Sequence, residues 1–417
     1  MRDTTILCLI MALLLLADSA AARPREWVLR DGKFHVKGQW VFLKIAKPLR
    51  DFADERQVDQ LIADLELLQA KHYNAIEINC YWHHFDDDGD GVPDRPTEPL
   101  RRLVDAIYER GMYPCLSVET YGVGGGQIPR GFWKKHADAI AVDSRGQRVK
   151  DDEYGFGSAV PSLFSPAYLA ASRSFIRNIT KSIDHNKILH FETTVEPQYM
   201  GLYALDFSTH ARREFEQWLT ANNLAGPGWP ASFPVPDTFL EDPTWNRFRA
   251  EWLAAWVNGD ADAFRGVAGD DIYIAVDYLE TCGPDMRNRN GDSLTFLRYL
   301  TSANIIQVNW HWHVAQRAPN QCAYDNVRRI MKETGRDWAI TEHMTFNGSD
   351  YAPHFAEDML RNTLRQGTQF GWEFTNVAPS DEPFSLYNPD WSPKPLIKIV
   401  DDRWDLWIQE IRAAAEE

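Results

Sequence analysis

Short apolar runs alternate with stretches of helical periodicity along almost the whole chain. That alternation limits the fold more than any other feature. Residues 41–46, 73–82, 112–119, 188–197, 271–279, 305–312, 338–341 and 369–375 read as strands. Between the first two, residues 55–71 set Val58, Leu61, Ile62, Leu65 and Leu68 on one helical face. Residues 99–110 form the next helix, with Gly111 as its cap. Residues 168–183, 208–221 and 244–267 are further helices, and 391–415 carries the last. Strand, amphipathic helix, strand is the pattern of a parallel sheet. Eight such strands give a (β/α)8 TIM barrel, expected as one domain over residues 23–417. The alternative is an open doubly wound sheet, but no Gly-x-Gly-x-x-Gly follows the first strand.

Three stretches lie outside this alternation. Residues 27–37 alternate about Asp31-Gly32, which predicts a hairpin with a tight turn closing the barrel floor. Residues 120–165, with Gly122, Gly124, Gly125, Gly126 and Pro129, are expected as a long functional loop on the catalytic face. The Pro- and Gly-rich residues 226–236 are expected to pack down through Trp229 and Phe233.

Composition narrows the partner. A formal net charge of -16 argues against nucleic acid, which needs basic surface. The 16 Trp, 15 Tyr and 21 Phe suit a carbohydrate cleft, where rings stack on sugar faces and carboxylates hold hydroxyls. Residues 1–22 read as a secretory signal: Arg2, an apolar core over 6–16, then Ser19-Ala-Ala-Ala22. The apolar run is shorter than the ~20 residues a membrane span needs. The expectation is an extracellular or periplasmic protein without a membrane anchor after cleavage. Cys8 would leave with the signal. Cys80, Cys115, Cys282 and Cys322 then allow three pairings, a 282–322 bridge among them, or stay as buried thiols.

The chemistry is read from strand ends. The fourth strand runs into Glu196 and Pro197, and the seventh, Trp338-Ala-Ile-Thr-Glu342, also ends in an acid. Two carboxylates at the carboxyl ends of barrel strands are the minimum for cleaving a glycosidic bond. Other strand ends offer substrate-binding candidates: Trp82, His83, Tyr121, Asp277, Trp310, His311 and Trp372. For each of these alone, core packing is an equal alternative. His83, His84, His311 and His313 complete no credible zinc set, so no cofactor is expected for catalysis. The loop 86–94 differs: Asp86, Asp88, Asp90 and Gly91 match the start of a calcium loop, although Thr97 stands at the twelfth position. Asp86, Asp88, Asp90 and Asp94 are the expected ligands of a structural Ca2+.

Leu189-His-Phe-Glu-Thr-Thr-Val-Glu-Pro197 resembles the strand-four motif of clan A glycoside hydrolases, and Ala339-Ile-Thr-Glu342 their strand-seven motif. Asn79-Cys-Tyr-Trp82 resembles their second strand end. Phe164-Ser-Pro-Ala-Tyr168 and the helix over 210–219 resemble family 42 β-galactosidases and their relatives, and the chain as a whole also resembles family 5 relatives. The resemblance implies Glu196 as acid/base, Glu342 as nucleophile, Trp372 as a sugar platform and His311 as a holder of the nucleophile. It implies a secreted retaining glycoside hydrolase acting on β-linked sugars. An endo-β-glycanase of the mannanase or cellulase type is the first alternative. A non-catalytic carbohydrate-binding barrel is the second, kept open by Val195, which stands where the clan has Asn.

Overall fold

The computed structural model describes residues 26–121, 126–150, 158–200, 205–225, 241–279, 289–311, 321–345, 354–383 and 385–416. The side chains of Trp310, His311, Thr345, His354 and Phe355 are outside that description. So are the expected signal and residues 226–236.

The described chain opens with a three-stranded antiparallel sheet: β1 (Trp27–Arg30), β2 (Lys33–Val36) and β3 (Gln39–Trp40). Asp31 and Gly32 both take positive φ, 53° and 68°, as a two-residue hairpin turn demands. Trp27 and Phe34 pack with Leu43, Ala75, Leu189, Ala275, Ile305 and Ala339, which stand at or near the beginnings of the barrel strands. The hairpin therefore plugs the amino-terminal floor of the barrel, as its alternation predicts.

The barrel is closed by β4 (Leu43–Lys47), β5 (Ala75–Tyr81), β6 (Tyr113–Glu119), β7 (Phe191–Glu192), β8 (Ile274–Tyr278), β9 (Ile305–His311), β10 (Ala339–Thr345) and β11 (Gly371–Thr375). Every neighbouring pair is parallel, and β11 returns to β4. This is the (β/α)8 barrel. Helix Glu55–Ala70 begins at Asp54, whose side chain accepts from the Arg56 N–H, and buries Val58, Leu61, Leu65 and Leu68 against the strands. Each such side chain contributes roughly 1.5–3 kcal/mol of burial. Helices Pro166–Lys181 and Pro243–Ala268 are pinned to each other by Arg173 Nε on Asp260 Oδ1 at 3.2 Å. No helix among the described residues is long and apolar enough to cross a membrane.

Two expectations need correction. The fourth barrel strand is only two residues long, not a run to Glu196. Past it, the Val195 N–H bonds the Glu119 carboxylate at 3.2 Å instead of a neighbouring strand, so the ladder ends early. Nor is 120–165 without structure. It contains helix Arg130–Lys135 and antiparallel bridges Ile140↔Pro161, Val142↔Arg148 and Lys150↔Ala159. Cys80 and Cys115 are buried free thiols. Cys322 is disulfide-bonded, to a partner outside the described residues.

Candidate active site

Side chains alternate between the two faces of a strand, so each barrel strand sends every second residue inward. On the outward face stand Ile76, Ile78, Leu116, Val118, Val276, Ile306, Val308, Met344, Trp372 and Phe374, all in the layer shared with the helices. The residues between them are polar: Glu77 and Asn79, Ser117 and Glu119, Asp277, Gln307 and Asn309, His343, Glu373. Lys47 at the end of β4 and Glu192 at the end of β7 join them. All are buried. A barrel interior of this kind holds two connected polar layers.

The deeper layer surrounds Lys47. Its Nζ lies 2.6 Å from Glu77, 3.3 Å from Glu373 and 3.5 Å from Glu192. Burial opposes the Lys47 charge, but Glu192, Glu77 and Glu373 outweigh it and push its pKa well up. Three carboxylates around one ammonium cannot all stay ionised cheaply. Glu192 is pushed well up, by burial first and then by Glu77. Glu373 is pushed up to about 7 for the same reasons, and accepts from Gln307 Nε2 at 2.5 Å. Glu77, closest to Lys47, is held low despite its burial.

The upper layer contains Glu196, on the segment just past β7. Asn309 Nδ2 donates to Glu196 Oε1 at 2.8 Å and to Asp277 Oδ2 at 3.2 Å. Because both distances run to one nitrogen, the two carboxylate oxygens lie no more than about 6 Å apart. Gln198 Nε2 donates to the other Glu196 oxygen at 3.1 Å, and Arg289 in turn holds Gln198 at 2.8 Å. Glu119 braces the same segment by accepting from Thr194 Oγ1 and the Val195 N–H. Glu196 has φ 48°, a left-handed conformation for a residue with a Cβ. Such strain is held by the surrounding bonds and is concentrated at functional sites. Asp277 Oδ1, Asn309 Oδ1 and Asn79 Oδ1 are buried without a hydrogen-bond partner among the described residues. His343 bonds the bound oxygen of Asp277 through Nδ1 at 3.0 Å.

Several sequence-based candidates fall elsewhere. Glu342 is not brought to Glu196. It shares the outward face of β10 with Ile340 and Met344 and accepts from Tyr324, Asn362, Thr363 and Thr368. Burial pushes its pKa up to about 7 against those four bonds. Trp372 is not a sugar platform. It is fully buried among Phe42, Trp404 and Trp407, and donates to Thr363. Trp82 is core too, packed on Phe132 and Phe175 and donating to Asp86. Tyr121 is buried edge-on against Trp256 of the helix layer. His83 is half-buried in the turn Trp82–Phe85 beside Tyr81 and His84, where burial lowers its pKa. Trp310 and His311 end β9, with side chains outside the description. Among the candidates whose side chains are described, Asp277 is the one that lines the interior with Glu196.

The loop after that turn brings ligand oxygens of Asp86, Asp88 and Asp94 within 4.8 Å of one another. Asp90 is not in that group; its Oδ1 accepts from the Val92 N–H. Asp86 is buried and accepts from the N–H groups of Gly89 and Gly91. Asp88 pairs with Lys135 at 2.7 Å, so a bound cation would compete with that ammonium.

No protein-family model matches the chain, and no curated protein matches it. Solved structures do. The chain is similar to the β-galactosidase of the psychrophilic Marinomonas ef1, at 14% identity and TM-score 0.65 over 90% of this chain and 60% of that one. It is similar to the β-galactosidase of Bacillus circulans sp. alkalophilus, at 14% identity and TM-score 0.66 over 88% and 56%. It is also similar to the catalytic domain of β-amylase from Paenibacillus polymyxa, at 13% identity and TM-score 0.60 over 87% and 97%. The chain thus spans about 60% of the length of the Marinomonas enzyme. At these identities the likeness is one of fold: the chain shares its closed barrel with these glycosidase structures. The barrel interior, lined by acids, amides and one imidazole, is the candidate site within it.

Proposed function

We propose that the chain is a retaining glycoside hydrolase acting on β-linked sugars, with Glu196 as acid/base and Asp277, not Glu342, as nucleophile. One observation carries the reading: Glu196 and Asp277 hydrogen-bond the same amide nitrogen of Asn309, which keeps Glu196 Oε1 and Asp277 Oδ2 within about 6 Å of each other. Retaining enzymes hold their carboxyl groups ~5–5.5 Å apart, and inverting ones ~6.5–9.5 Å. Asp277 Oδ1 would attack the anomeric carbon while Glu196 protonates the leaving oxygen; Glu196 would then take a proton from the water that opens the ester. The known activities of the similar structures, β-galactosidase and β-amylase, favour a glycoside as substrate. Secretion through residues 1–22 belongs to the same reading and is checked by sequencing the amino terminus of exported protein.

The test is hydrolysis of a panel of aryl β-glycosides by wild type, Asp277→Asn and Glu196→Gln, with the anomer of the first product followed by NMR. Asp277→Asn is expected to lose turnover by 10³-fold or more, and the first product to keep the β configuration. Wild-type turnover by Asp277→Asn, or an inverted product, overturns the assignment. A second reading, a carbohydrate-binding barrel without turnover, is favoured by the outward placement of Glu342 and by Val195. It wins if wild type is inert across the panel but binds sugars.

A further inference from the structure

The assignment of Asp277 leaves its neighbour His343 unexplained, and this residue is placed to act on it. The imidazole bridges two walls of the barrel. Nδ1 meets Asp277 Oδ2 of β8 at 3.0 Å; Nε2 meets Thr375 Oγ1 of β11 at 2.7 Å and lies 3.5 Å from Glu373 Oε1. The Asp277 oxygen it holds is the same one held by Asn309, while Oδ1 has no partner among the described residues. Two donors on one oxygen fix the plane of the carboxylate and leave the other oxygen to react.

Building on that reading, we propose that His343 is the positioning residue of Asp277. As an imidazolium spanning Asp277 and Glu373, it fixes Asp277 Oδ2 and leaves Oδ1 as the attacking oxygen. The surroundings support a charged ring. Burial disfavours it, but Glu373 and Asp277 outweigh both burial and the opposing ammonium of Lys47 on β4, so the His343 pKa is raised. Asn309 on β9 is neutral, and the Glu196 carboxyl that shares its amide lies within about 6 Å of Asp277 Oδ2. A positively charged partner favours the ionised form of a carboxylate. Removing it takes a cation from beside the ionised nucleophile, a change that the acid limb of kcat/KM reports.

Two substitutions separate the halves of the bridge. An Asn amide nitrogen can sit near the place of the imidazole Nδ1, and a Gln amide nitrogen near that of Nε2. His343→Asn is expected to keep the Asp277 bond without the charge, retaining kcat within about tenfold while its acid limb moves up by about one pH unit. His343→Gln keeps the Thr375 side and loses Asp277, and is expected to lose kcat by about 10²-fold with KM within about threefold. Equal losses in the two variants with an unmoved acid limb overturn the proposal, because a merely structural role predicts that pattern. If Asp277→Asn is fully active, the catalytic reading itself has failed. If Asp277→Asn is inactive while both His343 variants behave as wild type, only the His343 role has failed. A readout free of turnover is the 15N-histidine NMR titration of the full chain, with His343→Asn to assign the resonance. His343 is expected to titrate above 6.5 in wild type and lower in Asp277→Asn. A titration at or below that value, unchanged by Asp277→Asn, overturns the proposal whatever the enzyme turns over.

Discussion

Glu342 offers the sharpest division between motif and geometry. If it were the nucleophile, Glu342→Gln would abolish turnover and leave the fold alone. Its position between β10 and the helices requires the reverse. Four groups donate to it: Tyr324 Oη at 3.1 Å, Asn362 Nδ2 at 3.0 Å, Thr363 Oγ1 at 2.8 Å and Thr368 Oγ1 at 3.3 Å. Glu342→Ala strands these donors. A buried unsatisfied group costs ~1–3 kcal/mol. The hydroxyls can turn to other acceptors, so a net loss of ~2–5 kcal/mol is reasonable. At on the order of 2 °C per kcal/mol for a large chain, the melting temperature should fall by about 4–10 °C.

The pH dependence gives a second handle. The fold raises the Glu342 pKa from 4.5 to about 7 through burial. Below 4.5 both the folded and unfolded chain hold the proton. Between 4.5 and about 7 only the folded chain does, so the contribution of this group is lost as pH rises through that window. The shift corresponds to roughly 3 kcal/mol at most. Glu342→Gln is neutral at every pH and should erase that slope, gaining on wild type as pH rises from 4.5 to 8. Urea unfolding across this range, alongside turnover of an aryl β-glycoside, measures both effects. A folded Glu342→Gln with the wild-type pH slope and a 10³-fold loss of turnover would refute the reasoning and restore Glu342 as nucleophile.

Lys47→Met should destabilise the barrel by ~3–5 kcal/mol, since it leaves Glu77, Glu192 and Glu373 buried around no cation; the loss should lessen in acid as Glu77, the one of the three that Lys47 holds low, takes up its proton, and is read by unfolding at pH 4.5 and 7.5. If Asp86, Asp88 and Asp94 hold a calcium ion in the folded loop, added Ca2+ should raise the melting temperature, a chelator should lower it, and Asp86→Ala should remove the difference. Val195→Asn should fold normally, since the structured contact of Val195 is its backbone N–H on Glu119. It should raise kcat/KM on substrates with an ordinary 2-hydroxyl by up to roughly tenfold, the equivalent of ~1.4 kcal/mol, and a fall would show that Asn is unwanted there.

The barrel was legible because its strands and helices carry two different periods, and the hydrophobic effect enforces both. The site was only half legible, and the reason is parity. An acid at a strand end reads as a residue of the mouth, but the end of a strand does not say which face a side chain takes. That information is in the alternation. In Ala339-Ile-Thr-Glu-His-Met344, Glu342 keeps company with Ile340 and Met344, the apolar face that helices cover, while Ala339, Thr341 and His343 form the other. In Gly371-Trp-Glu-Phe-Thr375 the aromatics again mark the covered face, which assigns Trp372 to the core and Glu373 to the interior. The same test picks out Glu77, Asn79, Asp277, Gln307 and Asn309 from strands otherwise rich in Ile and Val. It fails for Glu196, because β7 stops at Glu192 and the three residues between them follow no strand period. There the deciding facts are the bonds from Asn309 and Gln198, more than 100 residues away for the first and two for the second. A motif can find such a residue, since it stores the outcome of a tertiary arrangement that local period cannot express. Where the motif and the period disagree, as at Glu342, the period has the stronger physical claim, because turning that one side chain inward would turn every other residue of β10 with it.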